Sequence, residues 1–585
     1  MNLIMKSAIS LEAANNQRNA KAFYKKLFIQ LFVLWGLFFF ESNTEATIYY
    51  INGLKGNDNN PGTFDLPWKT VEKANQTLQA GDSVFLREGH YNNQQISPKN
   101  SGKPFNYITY QNYDNEKVYL SKVRIPIYLK EKEYIKIIGF DVSDCDHFFV
   151  LYNGSKHNII ESCIFRNASA YFGALAAKYS INPITAFRDY EVQGSPNDYN
   201  RILDNDWIDA PDKCLDSQDQ DCGTAPSDML YIEHGSYNLI QGNIFGNCAH
   251  DSLVFGGSST HHNIIRNNTF RNAYRRGLDL YSETKFNLIE KNYFFDHGLK
   301  MLENPQKESR NHEPWNPGAI QCIKGSNYMI IRKNVFDNNG NILAYTGQFM
   351  HFYHNTANRQ IMTIYGDGGN YDDKFNIYKN NIFSNTTSLS RPNDSKYVYS
   401  WHTYVQPGHI MGNNIITHNA FTGDNNRWRY NKNYNFNSLE EFEASTQDAF
   451  DNNSYMPLFA ESSNRNFMLL AKSRLIDAGT WLTVIKSSTK KSQTSFIVDD
   501  AGYFFDGWGI EKEKGDLIKT ASGNFSRIKK IDYDSNIIYV DSAMDVFENE
   551  GISIYYEGTS PDIGAYEFSS GDKAQLSPPT KFRLR

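Results

Sequence analysis

Cysteine is scarce in this chain, with 6 in 585 residues. That is too few for a disulfide scaffold, and no pair has the C-x-x-C spacing of a zinc site. Cys214 and Cys222 lie close together in a polar stretch and can pair after export, whereas Cys145, Cys163, Cys248 and Cys322 fall in or beside repeating segments and read as core thiols. Surplus positive charge is missing too. With 59 Lys and Arg against 65 Asp and Glu, there is no broad basic surface for a nucleic-acid backbone, so no nucleic-acid partner is expected.

A hydrophobic run of about 20 residues, enough to cross a bilayer, is not found in the shorter stretch LFIQLFVLWGLFFF (27–40). That stretch follows Lys25-Lys26, leads into small and polar residues ending at Ala46, and has no Cys after it to accept a lipid. This is the layout of a secretory signal peptide. A secreted or periplasmic monomer without a stable membrane span is therefore expected. The residues ahead of Lys25 are unusual for such a signal and leave the initiator Met open.

What the chain does have is 40% hydrophobic and 15% aromatic residues, enough for a large core, and one phrase said many times. NLIQGNIF (238–245), NIIRNNTF (263–270), NLIEKNYF (287–294), MIIRKNVF (329–336) and NIYKNNIF (376–383) share a pattern, and NIIESCIF (158–165) has Cys163 where the others have Asn. Asn243, Asn268, Asn292 and Asn334 hold one register at steps of 25, 24 and 42, the last containing an insertion. A period in the low twenties with short apolar runs suits a solenoid whose turns each contribute a few short strands. The Leu-x-x-Leu-x-Leu frame of leucine-rich repeats is absent. An all-β, right-handed parallel β-helix fits, with Ile and Phe stacked inward and each Asn bonding Asn or backbone groups of adjacent turns at a recurring bend.

The flanks complete the plan. PWKTVEKANQTL (67–78) has Val71, Ala74 and Leu78 at helical spacing and suits an N-terminal capping helix. SLEEFEAST (438–446) reads as a short helix. The expected organisation is a signal region (1–46), a β-helix domain (47–480), a small β-rich insertion (481–558) and a closing strand with tail (559–585).

The stretch IYYINGLKGNDNNPGTFDLPWKTVEKANQTLQAGDSVFLREGHYNNQ (48–94), with LIDAGTW (475–481) and SPDIGAYEF (560–568), resembles the opening and closing segments of secreted bacterial β-helix proteins of the pectate-lyase-like superfamily. The resemblance implies the fold. It leaves the reaction open among polysaccharide lyases, glycoside hydrolases and uronan epimerases.

Chemistry is expected on the strands DMLYIEH (228–234), DSLVFGG (251–257), RGLDLYS (276–282) and GAIQCIK (318–324). Period-two alternation buries Leu230/Ile232, Leu253/Phe255, Leu278/Leu280 and Ile320/Cys322. It leaves Tyr231, Val254, Asp279 and Gln321 in one outward column, and Glu233, Gly256, Tyr281 and Ile323 in the next. His250-Asp251 and Arg275-Arg276 precede two of these strands. In the functional reading, Arg275 or Arg276 grips a sugar carboxylate and His250 or Tyr281 moves a proton, with Asp279 in the same catalytic group. In the plain reading, the same residues turn the chain and form a solvated edge. Tyr231, Glu233, Asp251, Gln321 and Lys324 are expected to line the groove, and the insertion at 299–317 to wall it with Arg310, His312, Glu313 and Trp315.

The segment 204–222 holds seven Asp, and calcium on Asp216, Asp219 and Asp221 is the one cofactor it raises, although the spacing is not that of an EF-hand. The calcium-dependent lyases that the resemblance brings in have an Asn/Glu/Glu set followed by Lys and Arg, which is not found here. The expected partner is an acidic polysaccharide or oligosaccharide. The expected reaction is β-elimination leaving a 4,5-unsaturated uronate, as a lyase or a dehydratase. Hydrolysis by Asp279 with Glu233 or Asp251, C5-epimerisation, and non-catalytic sugar binding are the alternatives.

Overall fold

The computed structural model describes residues 46–168, 195–210, 228–248, 251–281, 283–299, 318–322, 325–340, 342–344, 347–359, 362–365, 373–384, 401–404, 411–422, 428–430 and 434–569. From Ile48 onward they belong to one compact unit. Its coils form a right-handed parallel β-helix. One strand per coil joins a fourteen-stranded sheet, another joins a twelve-stranded sheet, and a third face is built by a four-stranded and then a five-stranded sheet. Pairing within the first three is parallel, as the Ile264–Arg266 strand between Leu239–Gln241 and Leu288–Glu290 illustrates.

The repeated phrase encodes two bends. In NIIRNNTF, His262 (φ 54°) precedes Asn263, and Asn267 (φ 55°) precedes Asn268. The three-residue strand Ile264–Arg266 lies between the bends. Each left-handed residue turns the chain, and the Asn after it points into the solenoid. At the second bend, nine Asn form one ladder: 205, 243, 268, 292, 334, 355, 381, 419 and 452. Cys163 ends it, donating its backbone N–H to Asn205 Oδ1 at 2.9 Å. At the first bend, Asn158, Asn200, Asn238, Asn263 and Asn287 form a second ladder. These side chains satisfy backbone groups that the bends take out of the β-ladders, where an orphan would cost about 1–3 kcal/mol.

Aromatic side chains mark the first bend on the outside. Tyr134, His157, Tyr199, Tyr237, His262, Phe286, Tyr328, Phe349 and Phe375 stack ring on ring, coil after coil. Inside, Trp207, Phe245, Phe270, Phe294 and Phe336 form a second stack.

The apolar doublets of the repeat divide their labour, which corrects the expectation that they all point inward. Ile240, Ile265, Ile289 and Ile331 belong to the solenoid core. Leu239, Ile264, Leu288 and Ile330 face the other way and are buried against residues of the insertion such as Phe505, Ile510 and Ile518. The insertion is a six-stranded antiparallel sheet over 483–554. A charged seam runs through this contact. Arg332 donates to both oxygens of Asp516 at 2.6 and 2.7 Å and to Glu290 at 2.8 Å, while Arg266 donates to Glu513 at 2.6 Å.

At the N-terminal end, helix Val71–Thr77 starts at Thr70, whose hydroxyl accepts from Lys73 N–H. Its Val71 and Ala74, with Leu78, join the solenoid core. A second short helix spans Leu439–Ser445. Coil-type parallel pairing ends at the Ala420–Asn453 bridge, short of residue 480, and the antiparallel strands Phe459–Glu461 and Asn466–Leu469 follow. The closing segment is not a strand. Pro561 and Gly564 (φ 115°) interrupt it, and it is tied down by scattered bonds, from Ile563 N–H to Leu475 O and from Gly564 N–H to Asn380 O.

Candidate functional site

The four-stranded sheet consists of Leu230–Glu233, Asp251–Gly256, Arg276–Tyr281 and Gly318–Cys322. Its register puts Tyr231, Val254, Asp279 and Gln321 in one row, and Glu233, Gly256 and Tyr281 in the next. Asp251, Arg276 and Gly318 make a third row, Asp251 opposite Arg276 and Arg276 opposite Gly318. Leu230, Ile232, Leu253, Phe255, Leu278, Leu280, Ile320 and Cys322 occupy the core on the other face.

Facing away from the core does not mean facing water here. Tyr231 and Val254 are 4% exposed, Asp279 5%, Gln321 2%, Arg276 4% and Asp251 1%. The open groove expected from alternation is therefore filled at its floor. Tyr231 leans over Gly256, its hydroxyl 2.7 Å from where a Cβ would stand, so a larger residue there would have to displace the ring. Glu233 and Arg275 are only partly buried and form the more accessible rim.

Arg276 is the hub. Its Nη1 donates to Asp279 Oδ2 at 3.0 Å and to Asp251 Oδ2 at 3.4 Å, and Arg275 Nη1 lies 3.8 Å from the same Asp251 oxygen. Rather than standing free as a carboxylate clamp, Arg276 is already charge-compensated by two internal carboxylates. Burial pushes Asp279 up to about 6, against the lowering effect of Arg276 and with further upward pressure from Asp251. Its Oδ1 makes no hydrogen bond, and neither does Gln321 Oε1 on the adjacent strand.

One further residue belongs here. Asp228 Oδ1 accepts the backbone N–H of Asp251 at 3.2 Å. Continuing the Leu230–Leu253 register back two positions sets Asp228 beside Asp251, so the same coil alignment contained it.

His250, Arg310, His312, Glu313, Trp315, Ile323 and Lys324 lie outside the described residues, as do Cys214, Cys222 and the proposed calcium ligands Asp216, Asp219 and Asp221. Tyr281 is placed only by its backbone, opposite Gly256. Among the described residues, no group of three or more His, Cys, Asp or Glu is placed to hold a metal ion, and no helix is long and apolar enough to cross a membrane. Cys145, Cys163, Cys248 and Cys322 are buried thiols.

Comparison with known proteins finds likenesses over parts of the chain. A model described as Pel9A-like, right handed beta helix region, matches residues 49–198, and one described as right handed beta helix region matches 125–311. An uncharacterised Bacillus subtilis (strain 168) protein, YwoF, is 33% identical over 97 residues, which are 15% of this chain and only 20% of that relative's length. Among solved structures, pectate lyase Pel9A is 15% identical over 90% of this chain and 97% of its own, with a TM-score of 0.41. The GH136 lacto-N-biosidase from Eubacterium ramulus is 12% identical over 70% and 68%, with a TM-score of 0.40. None of these likenesses decides a reaction.

Proposed function

We propose that this right-handed parallel β-helix protein, whose coils match the Pel9A-like and right handed beta helix models, is a carbohydrate-active enzyme that breaks a uronic-acid-containing polysaccharide or oligosaccharide by β-elimination. The observation that supports this is the Asp279–Arg276 contact on the outer face of the four-stranded sheet. A carboxyl with its pKa raised to about 6 is ionised at neutral pH, yet it is a stronger base than an ordinary aspartate. Its unbonded Oδ1 takes the C5 proton of the uronate. As it does so, its negative charge disappears and the positive charge of Arg276 is no longer compensated on that side. That charge is then available to the enolate-like anion forming on the substrate carboxylate, where it is worth most in the transition state. The C4–O bond breaks as the C4–C5 double bond forms, and the leaving oxygen collects a proton from an acid. His250 and Tyr281 are the sequence candidates for that acid. Removal of a sugar at C4 makes the enzyme a lyase, and removal of a hydroxyl makes it a dehydratase. Export by the 25–46 segment would deliver it to extracellular glycan.

A second reading, glycoside hydrolysis, is favoured by the pairing of Asp251 and Asp279. Both Oδ2 atoms contact one Arg276 nitrogen at 3.4 and 3.0 Å, so their separation cannot exceed the sum of those contacts. That is nearer the roughly 5–5.5 Å of a retaining carboxyl pair than the wider spacing of an inverting one. The acidic balance of Asp228, Asp251, Asp279 and Glu233 against Arg275 and Arg276 also suits a neutral sugar.

Incubation with a panel of uronans and neutral glycans separates the readings. Ultraviolet absorbance from an unsaturated uronate supports elimination. New reducing ends without it support hydrolysis, and neither product on any glycan rejects both.

A further inference from the structure

Two buried acceptor oxygens without donors stand on neighbouring strands at the floor of this site. Asp279 and Gln321 are direct partners in the register of adjacent parallel strands and face the same side of the sheet. Neighbouring strands are about 4.8 Å apart, so opposed side chains of this length meet. Both are more than nine-tenths buried. Asp279 Oδ1 and Gln321 Oε1 each lack a hydrogen-bond partner. Native proteins rarely leave one buried acceptor unsatisfied, and two adjacent ones call for a donor between them.

We infer that Gln321 is a positioning residue for Asp279: its Oε1 accepts the proton that Asp279 Oδ1 carries in the acid form, so one proton satisfies both orphaned oxygens. This rests on the reading of Asp279 as the proton-transfer group but is testable without any substrate. In that reaction, Gln321 stabilises the state reached once the C5 proton has arrived, and it does so without touching the sugar. The other groups acting on Asp279 are Arg276 on its own strand, Asp251 and Asp228 on and before the preceding strands, Arg275 at the corner, and Cys322 on the strand of Gln321. Arg276 favours the ionised form, while Asp251 and Asp228 oppose it. Gln321 is the only neutral amide in the row Tyr231, Val254, Asp279 and Gln321.

The test is an infrared titration of the protonated-carboxyl C=O band in the full-length protein, with Asp279→Asn identifying the band. In Gln321→Met, which keeps the volume and removes the acceptor, the midpoint is expected to move to lower pH by about tenfold in proton affinity, the worth of one hydrogen bond. The band should also rise in frequency. Gln321→Glu, closest in shape, should move the midpoint upward by adding a competing acid. An unchanged midpoint and frequency in a folded Gln321→Met overturns the inference. A rise in its midpoint also overturns it, because the amide would then be donating its N–H to an ionised Asp279. Loss of no band in Asp279→Asn overturns it as well. If the titration behaves as expected but no glycan is cleaved, the proton-sharing pair stands and the catalytic reading falls.

Discussion

Asn243 and Asn268 lie 25 positions apart, yet Asn243 gives both its backbone N–H (2.9 Å) and its Nδ2 (3.0 Å) to a single oxygen, Oδ1 of Asn268. Asn268 in turn donates Nδ2 to Ile240 O and its own N–H to Asn292. Each rung thus serves the coil before it and the coil after it. Asn268→Leu strands a fully buried N–H and a buried carbonyl, and should lower unfolding free energy by on the order of 3 kcal/mol in urea titrations. Asn268→Asp, which keeps an acceptor for Asn243 and loses the donor, should recover part of this. Equal stability of all three proteins would mean that the ladder is incidental.

The seam between coil and insertion should behave as a buried charge network. Asp516→Ala leaves Arg332 buried with Glu290 as its remaining carboxylate among the described contacts. Removing one partner of such a pair costs about 3–5 kcal/mol. The double variant Asp516→Leu with Arg332→Met should be milder, because the Glu290 left behind still has Arg266 at 2.8 Å as its partner. Limited proteolysis within 483–554 is the readout, with faster cleavage expected for Asp516→Ala than for the double variant.

Why some of this was legible in the sequence and some was not follows from particular residues. The Asn register, the inward Phe and the four site strands were readable because a parallel solenoid repeats its geometry every coil, so side chains of one kind recur at one spacing. The outward role of Leu239, Ile264, Leu288 and Ile330 was not, since an apolar doublet looks the same whether one or both members are in the solenoid core. What lies against the outer one is encoded much later in the chain, around Phe505 and Ile518. Arg276 was legible as a cation on the right face. Its neutralisation by Asp279 was not anticipated, because the two are three apart on a strand and strict alternation would put them on opposite sides. Gly277, which breaks that alternation, has no room for a Cβ against Phe294, Ala319 and His297 and so points inward next to inward Leu278.

Asp279 should also shape the dependence of stability on pH. Its folded-state value, about 6, is above the 3.8 of an ordinary aspartate. The folded protein therefore binds this proton more tightly than the unfolded chain, and stability declines as pH rises from about 4 to about 6. Asp279→Asn should flatten that decline, measured as denaturation midpoints across the window. An unchanged slope would show that Asp279 does not titrate there.

The last test separates proton transfer from charge neutralisation. If Asp279 is the base, the rate on the true substrate rises as pH climbs through about 6, because the ionised form is the active one; an acid role would make it fall instead. Asp279→Asn should lower kcat by a factor on the order of 100 or more while leaving KM within a few-fold, since general-base catalysis is typically worth 10²–10⁴. Arg276→Ala should lower kcat too, but for a different reason and with a different signature. Without the guanidinium, Asp279 loses its contacting cation and faces Asp251 with only the more distant Arg275 left to offset them, so the Asp279 pKa rises and the activity limb moves to higher pH. Arg276→Lys should restore part of the charge and pull the limb back without restoring full turnover, because an ammonium on a shorter, more flexible stem does not hold the Nη1 position from which both carboxylates are reached. If Arg276→Ala reduces the rate while its pH limb stays in place, the arginine acts on the substrate alone, and the exchange of charge between Asp279 and Arg276 is not part of the reaction.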